Sequence, residues 1–153
     1  MRRTRFALLF APLLSLPALA DESCHVTAVD SGSSLICRSS EGHDLSVALR
    51  GIEIPTAVAE TARRRLDELV GAHSVTLRQP LPQPSGQLTA AVWATPPDCP
   101  SCGHTLDVSR ALLSVGLARW KPDAAQGEEE RAQYSFEEQE ARARKIGLWN
   151  TNL

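Results

Sequence analysis

The first half of this chain reads as short β-prone runs, and the wider period of a helix enters only after residue 56. Cys24 to Val29 and Leu35 to Cys37 flank Asp30-Ser31-Gly32-Ser33-Ser34, a dense turn signal, and together they predict a hairpin. Leu45 to Ile54 adds β-branched residues and an apolar end, which predicts a third strand stopped by Pro55. From Ala57 to Val70 the period changes. Val58, Ala62, Leu66, Leu69 and Val70 recur at helical spacing, and Glu60, Arg63, Arg64, Asp67 and Glu68 take the wet face. Thr56 is placed to cap this helix and Gly71 to end it in a left-handed conformation. Ser74 to Arg78 and Leu88 to Trp93 predict two more strands. Pro80, Pro82, Pro84 and Gly86 between them predict a stiff loop, because proline cannot donate to a sheet ladder.

After an irregular stretch from Ala94 to His104, Val108, Ala111, Leu112 and Val115 predict a short helix capped by Asp107 and stopped by Gly116. Leu117 to Trp120 predicts a brief strand. Glu129 to Ile146 predicts a last helix, acidic at its start and basic at its end, the sense that the helix dipole favours. The order is β-β-β-α-β-β-α-α. Its short links argue against parallel crossovers, so the pattern predicts an α+β fold built on a small antiparallel barrel.

Composition narrows the class. With 153 residues the chain is the length of one domain, and 42% hydrophobic against 22% charged residues excludes a disordered or low-complexity chain. The first twenty residues stand apart. Arg2, Arg3 and Arg5 precede an apolar run from Phe6 to Leu19, and Ala18-Leu19-Ala20 supplies a small-x-small cleavage site before Asp21. The run is shorter than the roughly 20 apolar residues that span a bilayer, so residues 1–20 read as a cleaved export signal. Residues 21–150 then form the domain, with 151–153 as a tail. Removing three arginines leaves 13 basic groups against 18 acidic ones, a net charge of −5. The mature chain has no further membrane span and is expected in the periplasm or the medium.

All four cysteines remain after that cut, and an even number in an oxidising compartment points to disulfides. Cys24 and Cys37 lie near the outer ends of the predicted hairpin, and a bond between them would close about 14 residues and contribute roughly 3 kcal/mol. Cys99-Pro100-Ser101-Cys102 can close on itself. A redox pair and a four-cysteine zinc site are the competing readings, and four cysteines allow three connectivities. His25, His43, His73 and His104 show no metal-ligand spacing. Arg63, Arg64 and Arg65 fan over about 200° of helix among acids, as a solvated face does.

Several of these segments are similar to those of the staphylococcal-nuclease-like (thermonuclease) domains. Val29-Asp30-Ser31-Gly32-Ser33-Ser34-Leu35 resembles that family's Asp-Gly-Asp-Thr-Leu hairpin. Leu49-Arg50-Gly51-Ile52-Glu53-Ile54-Pro55 resembles its Leu-x-Gly-Ile-Asp-x-Pro segment, and Leu106-Asp107-Val108-Ser109 with Gly116-Leu117-Ala118 its Asp-Val-Asn…Gly-Leu-Ala run. Ala141-Arg142 and Gly147-Leu148-Trp149 match its closing Ala-Arg…Gly-Leu-Trp. The resemblance implies a five-stranded OB-fold barrel with three helices, and a site that cuts phosphodiesters. In the family, carboxylates on the hairpin and after the third strand hold Ca²⁺. Two arginines grip the phosphate, and a glutamate after the proline handles the attacking water.

On this chain those positions fall on Ser33, Ala48, Glu53, Thr56 and Gln87, and only Glu53 keeps a carboxylate. Ser33 offers a neutral oxygen where a hard cation wants an anion, and a Thr hydroxyl is too weak a base to deprotonate water near neutral pH. Ala48 and Gln87 bring no charge, where losing a single such donor costs about 10²-fold or more in rate. Arg50 is two residues from Ala48, which on a strand puts both on one face, and Asp30 is close to Ser33. A displaced site made of Asp30, Arg50 and Glu53 would be a weak Ca²⁺-dependent nuclease. The reading preferred from the sequence is an exported domain with an eroded site. It needs no cofactor and binds a nucleic acid or protein ligand through its barrel face, the partner's identity being open.

Overall fold

A computed structural model of the chain describes residues 20–151, so the export signal expected over 1–20 and the tail beyond 151 lie almost wholly outside the described residues. The elements follow the expected order. Strands β1 (Glu22–Ser31), β2 (Ser34–Ser39) and β3 (Asp44–Leu49) form an antiparallel meander, and β4 (Ile52–Glu53) follows after one turn. A 3₁₀ turn (Thr56–Val58) leads into α1 (Ala59–Val70), then β5 (Ser74–Pro82) and β6 (Leu88–Ala94). The last part comprises β7 (Leu106–Asp107), α2 (Val108–Ser114), β8 (Arg119–Trp120), α3 (Glu128–Ala143) and a 3₁₀ turn (Gly147–Trp149).

Five strands close into a barrel in the order β3-β2-β1-β5-β6, with β6 returning to β3. The closing seam is parallel, Val47 opposite Leu88 and Leu49 opposite Ala90, while the other four seams are antiparallel. The barrel is therefore mixed, where the short links predicted a wholly antiparallel one. The reason is the connection from β3 to β6: it contains α1 and β5, which is length enough for a parallel return. The fold is an α+β OB-type barrel with three helices.

The inner face is apolar. Val26, Leu35, Val47, Leu77 and Val92 are fully buried from the strands, and α1 and α2 close the barrel with Leu66, Val70, Leu112 and Leu113. Cys24 and Cys37 are bonded within this core, at 3% and 0% exposure, and Cys99 is bonded to Cys102. That pairing removes the four-cysteine zinc reading. No helix among the described residues is long and apolar enough to cross a membrane.

Local chemistry departs from the simple pattern in three places. Gly71 ends α1 with φ −58°, not left-handed, and Ala72 takes the positive φ instead. Gly71 is needed for closeness, since a Cβ there would meet the Asp67 carbonyl oxygen at 2.6 Å. Thr56 opens the 3₁₀ turn and makes no side-chain cap. Strand β5 runs through Pro80 to Pro82 where a loop was expected. A register shift between Arg78 and Leu81, with Gln79 at φ 48°, takes Pro80 out of the ladder, so its missing N–H costs nothing.

Candidate functional site

The barrel topology brings together the positions at which the family resemblance placed a site. The Leu49 amide donates to the Ser33 carbonyl at 2.8 Å, which fixes the hairpin tip against the end of β3. Ala48 lies between Ser34 on β2 and Thr89 on β6. Gln87, just before β6, donates from Nε2 to the Ser46 hydroxyl at 3.1 Å. A Cβ on Gly32 would meet Ile54 at 3.2 Å, so the hairpin tip also sits against the segment that carries Glu53 and leads to Thr56. Backbone geometry thus builds a rim from Ser33, Ala48, Glu53, Thr56 and Gln87. Apart from Glu53, its side chains are neutral.

Each remaining charge near the rim has its own setting. Asp30 accepts a hydrogen bond from the Ser34 hydroxyl at 3.3 Å, and the Ser31 and Ser34 hydroxyls share another at 2.7 Å. Glu53 is exposed on β4, opposite Arg119 of β8. This donor set does not fit a hard divalent cation. Ser33 is neutral, Asp30 is engaged on its own hairpin, and among the described residues no three His, Cys, Asp or Glu side chains converge closely enough to hold a metal.

Arg50 is the largest departure from sequence reasoning. Strand β3 ends at Leu49, and the chain turns through Gly51 at φ 77°, so strand alternation does not carry from Ala48 to Arg50. Only glycine fits this turn, because besides the positive φ a Cβ would come within 2.9 Å of the Tyr134 ring. The Arg50 amide donates to Ala90 and its carbonyl accepts from Ser109, which fastens the turn between β6 and α2. Its side chain is 2% exposed. Nη1 donates to the Gln79 carbonyl at 3.2 Å and Nη2 to Glu130 of α3 at 3.4 Å. Arg50 is therefore held in the seam between barrel and α3, and the structure does not join it to Asp30 and Glu53 in a displaced site.

That seam is a polar cluster which sequence reasoning missed. It opens into a cleft of about 490 Å³ whose lining includes Arg50, Arg78, Trp93, Asp107, Glu130 and Gln133. The Asp107 carboxylate caps α2 by accepting from the Arg110 amide at 3.3 Å, and it also accepts from the buried Tyr134 hydroxyl at 3.0 Å. Burial pushes the Asp107 carboxyl up to about 6; the two hydrogen bonds oppose this and the nearby Glu130 carboxylate adds to it. Burial, together with the Asp107 charge, raises the Tyr134 phenol as well. The Arg78 guanidinium lies 3.7 Å from the centre of the Trp93 ring. One signal was available: Glu130 and Tyr134 are four apart, on one face of the predicted helix.

A second cleft, of about 530 Å³, joins the end of α1 to the loop between β6 and β7. Its lining includes both His73 and His104, residues whose separation in the chain hid the relation. The His104 ring is tied through Nδ1 to the Thr76 hydroxyl at 2.7 Å.

Comparison with protein families gives a match over residues 46–151 to the model described as staphylococcal nuclease homologue. No curated protein matches the chain.

Proposed function

The chain belongs to the family of staphylococcal nuclease homologues, and from that premise we propose that it is an exported pseudoenzyme: a member whose phosphodiester-cutting site is eroded and which works by binding. The observation that carries this reading is the state of the rim. Four of its five positions hold Ser33, Ala48, Thr56 and Gln87, and Arg50, two residues after Ala48, is committed to Glu130 and the Gln79 carbonyl. A transferring phosphoryl group needs fixed cations and a base in reach; the five rim positions hold no cation, and their one carboxylate, Glu53, stands at the family's metal-ligand position and not at that of its base.

The disulfide in the core suits an oxidising compartment, which supports export to the periplasm or medium. For the ligand, the rim's short hydroxyls and amide suit hydrogen bonding, and the mature charge of −5 argues against tight electrostatic capture of a polyanion. A protein ligand is accordingly favoured over nucleic acid. The competing reading, a weak Ca²⁺-dependent nuclease using Asp30, Arg50 and Glu53, requires Arg50 to abandon its buried partners.

The test is an incubation of the purified mature protein with single- and double-stranded DNA and RNA, with Ca²⁺ or Mg²⁺. No cleavage above buffer is expected. Cleavage that disappears in Glu53→Ala would overturn the reading.

A further inference from the structure

The two disulfides occupy opposite environments. Cys24–Cys37 is inside the barrel core, whereas Cys102 is exposed and Cys99 only half-buried, on the loop between β6 and β7. That loop does not depend on its bridge for anchorage. Its ends are held by the pairing of Trp93 with Asp107 and Ala94 with Leu106, and His104 is fastened to Thr76 of β5. Successive turns, with the Cys99 amide on the Pro96 carbonyl and the Cys102 amide on the Cys99 carbonyl, present the bridge at the surface. The sulfurs can therefore cycle without disturbing the barrel.

Pro100, inside the bridged loop, also lines the 530 Å³ cleft, together with Pro96, Pro97, His73, His104 and Leu69. A small thiol needs no such cleft. An extended polypeptide does, because the residues flanking its cysteine need a surface of mixed polarity to lie along, and Leu69 and the prolines share that lining with Ser74, Thr95 and the histidines.

We propose that Cys99 and Cys102 form a thiol–disulfide exchange site that oxidises cysteine pairs of extended polypeptides. A substrate thiolate attacks Sγ of Cys102, the accessible sulfur. The Cys99–Cys102 bond breaks, Cys99 leaves as a thiolate and takes up a proton, and a mixed disulfide joins substrate to Cys102. The second substrate thiolate then attacks the substrate sulfur of that bond. Substrate leaves as a disulfide, oxidised by two electrons, and Cys102 leaves as a thiolate that is protonated in turn. A low-molecular-weight disulfide restores the bridge by the same exchange in reverse. This activity stands apart from the rim, so the cleavage assay and the test below fail independently.

The experiment uses the oxidised mature protein, a dithiol peptide and oxidised glutathione. Wild type should speed peptide oxidation by at least ~10-fold over glutathione disulfide alone, and Cys102→Ser should return it to background. Given the disulfide form of the peptide, Cys99→Ser should hold a mixed disulfide on Cys102, read by mass, because no Cys99 thiol is left to resolve it. A short pulse of dithiothreitol followed by alkylation should label Cys99 and Cys102 at least ~100-fold faster than Cys24 and Cys37, since exchange follows access. The double variant C99S/C102S, with unchanged circular dichroism, checks that the barrel is intact. No acceleration by wild type, or equal labelling of both bridges, would overturn the proposal.

Discussion

The rim that carries Ser33, Ala48 and Gln87 consists, apart from Glu53, of neutral side chains at the barrel surface, whereas the seam beneath α3 keeps a guanidinium, two carboxyl groups and a phenol largely out of water. Both regions are fixed by the same stretch of backbone from Leu49 to Gly51. In the rim, removing a side chain strands no buried charge, since none of these side chains is paired with one. In the seam, every charge is another group's hydrogen-bond partner: Arg50 serves Glu130, Tyr134 serves Asp107, and Asp107 serves the first turn of α2. A buried polar group stranded by its partner's removal costs more than the pair contributes. The difference makes the rim free to vary while the barrel persists: the fold depends on the seam and not on the rim.

The sharpest way to break that comparison is Arg50→Ala. It would leave Glu130, itself only 20% exposed, facing a hole, and the expected loss is about 3–5 kcal/mol in urea unfolding at pH 7. Adding Glu130→Gln in the same chain should recover part of the loss, because no bare carboxylate remains. If Arg50→Ala cost less than about 1 kcal/mol, the seam would be no more structural than an ordinary surface pair.

Asp107 sharpens the same contrast through pH. Its carboxyl titrates near 3.8 when unfolded and at about 6 when folded. Between those values the folded chain holds the proton that the unfolded chain has released. Stability from this group is therefore fully present below about pH 4 and is lost as pH rises through 6, by an amount of order 3 kcal/mol. Asp107→Asn keeps an acceptor for Arg110 and Tyr134 and removes the titration. The stability of wild type relative to this variant should fall between pH 4 and pH 7. A difference that is flat with pH would mean that the Asp107 carboxyl is not displaced.

A smaller effect is expected for Tyr134→Phe, which deletes the hydroxyl donated to Asp107 and leaves that carboxylate with the Arg110 amide. The cost should be about 1–3 kcal/mol at pH 7, with the Asp107 titration moving further upward, because the lost bond favoured the charged form. An unchanged titration in this variant would separate the phenol from the cluster.

How much of this was legible in the sequence depended on the range of each interaction. The hairpin around Gly32, the α1 stripe of Ala62, Leu66 and Leu69, and the Asp107 cap were legible because turn chemistry, helical period and capping act over a few residues. The parallel pairing of Val47 with Leu88 was not, since nothing local records which strand closes a barrel. The passage of β5 through Pro80 depended on a bulge, and the bulge on Gln79 adopting a positive φ that its type does not advertise. Arg50 misled for a related reason: alternation is a property of continuous strand, and the strand stopped one residue too soon. The rim positions of Ser33, Ala48 and Gln87 were found through motif order, yet the seam, built from side chains of four separate elements, had no motif to announce it.

The smallest expected effect completes the contrast. Ser33→Ala and Gln87→Ala remove only a rim hydroxyl and a hydrogen bond between exposed groups, so each should change stability by no more than about 0.5 kcal/mol. The double substitution Ala48→Arg and Gln87→Arg tests the reverse direction, adding the two cations that the family resemblance leads one to expect. The side chain at position 48 is half-buried beside Thr89 and that at 87 beside Ser46, so both new guanidinium groups can reach water and stability should again stay within about 0.5 kcal/mol. Single-stranded DNA binding should nonetheless rise and become salt-dependent, because each added phosphate contact on a single strand steepens the slope of log K against log salt by about 0.7. Stability unchanged with salt-dependent binding gained would separate the two regions in one variant; unfolding of that variant would show that the rim had become part of the structural core.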